Sequence, residues 1–176
     1  MKEVLSMYAR YSKRADESVM ALLDGLSPEA LNEDRKSYYK SLSGLASHLA
    51  GGALYFAGLF RAALPAAAAA LHARDGKEPG EGGKLDAAGW AELKASWAAA
   101  DRAIVDLVAA LSEAELAAPV KLDWYGGKPD SVPMCFLLHQ LYVHGIHHRG
   151  QISQILDSMG VEHDFSGIDL EFLPKA

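Results

Sequence analysis

Apolar residues recur in steps of three and four along four long stretches of this chain. That spacing gathers them on one face of a helix, and four such faces can be buried only against one another. The first stretch runs from about Val4 to Leu26, with Tyr8, Tyr11, Ala15, Val19, Leu22 and Leu26 in line. It gives way to Ser27-Pro28, a capping side chain followed by proline at the first position of a short turn. The second spans about Tyr38 to Leu64 on the stripe Tyr38, Leu42, Leu45, His48, Gly52, Phe56 and Leu59. The third starts near Asp86 and reaches Leu111, carrying Trp90, Leu93, Trp97, Ala100, Ile104 and Leu107. The fourth begins near Ser131, with Pro133 in its first turn, and stops at Gly160, a C-cap. Its stripe reads Leu137, Leu141, His144, His148, Ile152, Ile155 and Met159.

The connections differ in kind. Pro65 closes the second helix, Ala66 to His72 has room for another turn or two, and the charged, glycine-rich Asp75–Gly83 is a loop. This loop lacks the Lys-Ser/Thr ending of a phosphate-binding P-loop and follows no strand. From Val120 to Trp124 polar and apolar residues alternate, and Tyr125-Gly-Gly127 offers a turn, so a small hairpin fits before the fourth helix. The expectation is an all-α fold in one domain over residues 1–176, a four-helix bundle with a long connection between helices two and three.

Composition narrows the function. Alanine is abundant and β-branched residues are sparse, which favours helix. The formal charge is −6, with no polybasic run, and this argues against nucleic acid as a partner. No stretch reaches the roughly 20 apolar residues that span a bilayer, and the block from Ala53 to Leu71 is broken by Arg61 and Pro65. A signal-peptide core is missing after Met1, and the single cysteine, Cys135, suits a reducing compartment, so the protein reads as cytoplasmic. Cys135 lies in the apolar run Met134–Leu138 and reads as buried packing.

Three of the seven histidines stand out. His144 and His148 are four apart in mid-helix on the apolar stripe, so their imidazoles can aim at one point. A lone inward histidine is usually satisfied by one hydrogen bond; two stacked in this way need several polar partners, which a metal ion supplies compactly. His48, inward on the second helix, completes a candidate set of three ligands. Gly145 follows His144 where the zinc-protease motif has its glutamate base, so that motif is absent. His147 lies about 100° round the helix from His148 and faces a neighbour or solvent. His139, His72 and His163 read as solvated. Arg149 and Gln151 flank the site, and Gln151, three residues past His148, can orient it. Tyr55 and Trp124 read as packing residues that could also line an entrance. The pair Gly51-Gly52 and Gly145 read as points of close helix approach.

The segments Leu45-Ala-Ser-His48-Leu and His144-Gly-Ile-His147-His148-Arg149-Gly150-Gln151-Ile152 resemble the signature of the DinB superfamily, also called DinB/YfiT-like. The likeness extends to Tyr8-Ala-Arg-Tyr11 and to an Asp-containing tail, Gly167-Ile-Asp169. The family often has Asn where Val143 stands here. The resemblance implies a four-helix bundle, commonly a homodimer, with the metal triad on His48, His144 and His148, and Zn²⁺ or Ni²⁺ as the ion. It also implies a low-molecular-weight thiol cosubstrate, since similar proteins use bacillithiol, mycothiol or glutathione for S-transfer or isomerisation. The expected function is therefore a metal-dependent thiol S-transferase-like enzyme acting on a small molecule. Its alternatives are a metal-dependent hydrolase, weakened by the lack of a carboxylate base on the stripes outside the Asp164/Asp169 tail, or a non-catalytic metal-binding stress-response protein in which the ion staples the bundle.

Overall fold

The computed structural model describes residues 1–65, 84–122, 131–165 and 172. Among them the chain order is α1 (Lys2–Asp24), α2 (Pro28–Asn32), α3 (Leu42–Ala63), α4 (Ala87–Ala110), α5 (Glu113–Leu116), β1 (Pro119–Lys121), β2 (Ser131–Pro133) and α6 (Met134–Ser158). The expected turn at Ala66–His72, the loop Asp75–Gly83, Trp124, the turn at 125–127 and Asp169 lie outside the described residues.

The four long helices pack as a ring, α1 on α4, α4 on α3, α3 on α6 and α6 on α1. This is the expected all-α bundle. Trp97 from α4, Phe60 and Leu45 from α3, Leu23 from α1, and Leu138 and Ile152 from α6 are each fully buried at its centre. Burial of one such side chain contributes about 1.5–3 kcal/mol, so the stripes hold the helices together far more than helix propensity does.

Local caps set the boundaries. Ser27 accepts a hydrogen bond from the Ala30 amide, with Pro28 at the first helical position, as the sequence indicates. Asp86 caps α4 through the Gly89 amide at 2.8 Å, and Ser112 with Glu115 forms a reciprocal capping box on α5. At the far end of α6, Gly160 takes φ +69° and the Val161 amide reaches back to the Leu156 carbonyl at 3.0 Å. Asn32 uses its whole amide: Nδ2 donates to the Pro28 and Leu85 carbonyls, while Oδ1 accepts from Ser43 Oγ and the Leu85 amide.

Two boundaries differ from the sequence reading. The second long helix starts at Leu42 instead of Tyr38, because Ser41 caps it through the Gly44 amide and Lys36 and Lys40 hold left-handed φ values of 58° and 67° just before. Tyr38 is consequently 86 % exposed and leaves the stripe. The last helix starts at Met134, since Ser131–Pro133 pairs antiparallel with Pro119–Lys121 in the register Val120↔Val132. The hairpin is therefore present, with its second strand formed from residues assigned by sequence to the helix.

Candidate metal centre

α3 and α6 face each other with one histidine from the first and two from the second between them. His144 and His148, one turn apart on α6, bring their ring centroids within 4.4 Å, and His48 on α3 lies 4.8 and 4.5 Å from them. One ring nitrogen from each can be chosen so that all three lie within 4.8 Å of one another. The closest approach is His48 Nε2 to His144 Nε2 at 2.8 Å. Two donors on a tetrahedral Zn²⁺ with ~2.05 Å bonds lie about 3.3 Å apart, so a small movement of the rings accommodates an ion. The group could hold a divalent metal ion, and it contains no carboxylate.

The orientation of each ring has a cause. His148 Nδ1 lies 2.7 Å from Gln151 Oε1; a carbonyl oxygen only accepts, so Nδ1 carries the proton and Nε2 is left with its lone pair. Gln151 thus orients a histidine, as its i+3 position allows. His144 is held by a close approach: a Cβ on Gly52 would come within 2.9 Å of its Cε1, so only glycine leaves room for the ring. Two of the rings are held toward the neutral form. Burial, reinforced by the neighbouring His148 and His48, lowers the His144 pKa to about 4. His148 is lowered by burial as well, with Gln151 pulling the other way. Neutral imidazoles are the form that binds metal.

A fourth side chain stands over the cluster. Tyr39 stacks on His48 with centroids 4.1 Å apart, meets His148 edge-on at 5.2 Å, and places its hydroxyl 2.9 Å from His48 Nε2. It arrives from the link ahead of α3, whose backbone passes so near Gly44 that a Cβ there would collide with the Tyr39 carbonyl. The three histidines, with Tyr39 and Gln151 about them, make a site that could hold a divalent ion.

Sequence comparison agrees with this architecture. The model of the DinB family matches residues 1–166. The chain belongs to the DinB family. No curated protein and no solved structure gives a significant match. In this DinB chain, the three histidines on which the resemblance rests are the ones the bundle draws together.

Other expected roles are corrected or completed by the structure. His147 is exposed, its ring edge-on to His148 at 4.8 Å, and His139 is exposed, both as read from their helix positions. His163 is not solvated: its Nε2 lies 2.6 Å from Ser153 Oγ and its Nδ1 donates to the Val161 carbonyl at 2.9 Å, pinning the tail to α6. Cys135 is partly exposed, in a cleft of about 210 Å³ with Met1, Val4, Leu5, Tyr8, Phe136 and His139. It is not in the candidate ligand group. Tyr55 is 37 % exposed with its ring edge-on to Phe56 at 6.0 Å, so it packs at the surface and not in the core as expected. Arg149 does not flank the histidines from the surface. It is 2 % exposed and donates from Nη1 to Asp16 Oδ1 at 2.9 Å, with its guanidinium 5.4 Å from the centre of the Tyr11 ring. Nothing in the periodic sequence pattern marks Tyr39, Asp16 or Asp101 as neighbours of the site. The cap Ser41-Leu-Ser-Gly44 was the available signal for Tyr39, since it ends the helix before that residue.

Proposed function

We propose that this DinB protein is a metal-dependent thiol S-transferase-like enzyme. In this reading His48, His144 and His148 hold one Zn²⁺ or Ni²⁺ ion through their ring nitrogens, and a low-molecular-weight thiol takes a remaining coordination position. The observation that carries it is the convergence of three imidazoles, in a group without a carboxylate, beneath a tyrosine hydroxyl. When bound, the ion supplies a Lewis acid that favours the thiolate form of the cosubstrate.

The chain's own residues do the rest. Gln151 fixes the His148 tautomer, Gly52 admits the His144 ring, and Tyr39 stands where it can exchange a proton with a ligand at the cluster. Cys135 lies outside the ligand group, which leaves the thiol to a second molecule. Among the described residues the three-histidine group offers no carboxylate to act as a base for water, which supports thiol transfer over hydrolysis. The thiol-using relatives implied by the resemblance point the same way, as does the acidic charge, which disfavours nucleic acid. A homodimer in the cytoplasm completes the proposal.

The test is conjugation of a small electrophile with a panel of thiols, with and without added metal. Turnover that needs both thiol and metal, and that falls in Tyr39→Phe with metal content unchanged, supports the reading. Thiol-independent turnover points to hydrolysis; no turnover with a large loss of stability on chelation points to an ion that staples the bundle.

A further inference from the structure

Behind the histidines, on the side facing α1 and α4, the bundle leaves a partly open cavity of about 30 Å³. Its wall includes Ser12, Asp16, Asp101, Tyr142, His144 and Arg149. Among the described residues, Ser12 Oγ, Asp101 Oδ2, Tyr142 Oη, His144 Nδ1, and Arg149 Nε and Nη2 are buried without a hydrogen-bond partner. We infer that this cavity is a binding site for ordered water, through which Asp101 positions the His144 imidazole as a metal ligand.

The volume and the chemistry agree. A water needs roughly 10–15 Å³ of such volume and two to four polar partners, so the cavity holds about two. Buried polar atoms left unmatched are costly, so a lining of this kind draws in water where an apolar cavity stays dry. Donors outnumber acceptors. Arg149 Nε–H and Nη2–H can only donate, and His144 Nδ1–H joins them once Nε2 is given to a metal. Asp101 Oδ2 can accept, and the hydroxyls of Ser12 and Tyr142 serve either way. Water, which accepts and donates, closes that imbalance.

A ligating imidazole almost always donates its second N–H to a carboxylate, a carbonyl or a water, and that partner sets the ring's orientation and basicity. Two carboxylates line the cavity. Asp16 is already engaged by Arg149 Nη1 and by the Trp97 side chain, whereas Asp101 keeps an oxygen unmatched. Asp101 on α4 is therefore the carboxylate available to His144 on α6, through water in the cavity they both line. This inference rests on His144 being a metal ligand.

The experiment uses the full chain and Co²⁺ as the probe. A crystal structure should show ordered water joining His144 Nδ1 to Asp101 Oδ2. Asp101→Leu should fold, as judged by circular dichroism, yet bind Co²⁺ about 10–100-fold more weakly in chelator competition. Its visible cobalt spectrum should change. Asp101→Asn keeps a carbonyl acceptor and should recover most of the affinity. The ¹H–¹⁵N resonance of His144 Nδ1–H in the Zn²⁺-loaded protein gives a readout independent of the Leu variant, and should move upfield in Asp101→Asn. A dry cavity, an unshifted resonance, or wild-type affinity in a folded Asp101→Leu overturns the inference alone. A wild-type chain that takes up no Co²⁺ overturns it together with the three-histidine reading.

Discussion

His148 and Arg149 are neighbours on α6, yet they belong to polar clusters of opposite character. His148 turns toward α3, where the ring nitrogens of three histidines converge. Arg149, about 100° further round, turns toward α1 and meets Asp16 in a pair whose side chains are 3 % and 8 % exposed. The histidines gather lone pairs that only a ligand can use together; the ion pair neutralises itself within the fold. The difference separates a binding site from scaffold more surely than burial does, because His148 is itself buried.

The contrast is most easily broken from the ion-pair side. Arg149→Ala leaves Asp16 buried and unpaired and should cost about 3–5 kcal/mol in urea denaturation, whereas Asp16→Leu with Arg149→Met should cost far less. His148→Ala should do the reverse, abolishing stoichiometric metal by elemental analysis while leaving a folded protein. Equal stability losses in Arg149→Ala and His148→Ala would erase the distinction. Gly52→Ala drives a methyl into the His144 ring and should destabilise by about 1–3 kcal/mol while weakening metal binding, one change that reaches the site through packing alone.

Acid separates the clusters by sign. His144 titrates at about 4 in the folded chain against 6.5 ordinarily, so between those values the unfolded chain binds more protons and metal-free stability falls as pH drops. Asp101 behaves oppositely. Burial first, then the charge of Asp16, holds its carboxyl well above the usual range, so its contribution is present in acid and lost as pH rises through that raised value. Urea denaturation without metal at pH 7 and pH 4.5 should therefore show a shallower acid loss in His144→Phe and a steeper one in Asp101→Asn. Identical slopes in both would contradict the assignment. The smallest effect belongs to Gln151→Ala, which frees the His148 tautomer and should weaken metal binding by about tenfold with stability nearly unchanged.

The bundle was legible because periodicity is local: each stripe names its own buried face. His48, His144 and His148 were legible for the same reason, each being inward at mid-helix. Local signals fail where the partner is remote. Arg149 pairs with Asp16 across 133 residues, and nothing near either position announces the other. Tyr39 is hidden in the sequence because its neighbour Tyr38 fits the helical period, while the left-handed Lys40 that ends the pattern carries no sequence mark of its own. Ser131–Pro133 was assigned to a helix because three residues are too few to show a strand's alternation.

Asn32 has a consequence for how this chain tolerates change. Both backbone groups of Leu85, the residue before the α4 cap, are bonded to its side chain. The place where α4 begins is thus fixed from α2, so a change at Asn32 is felt in α4, at the heights where Trp97 and Asp101 enter the bundle.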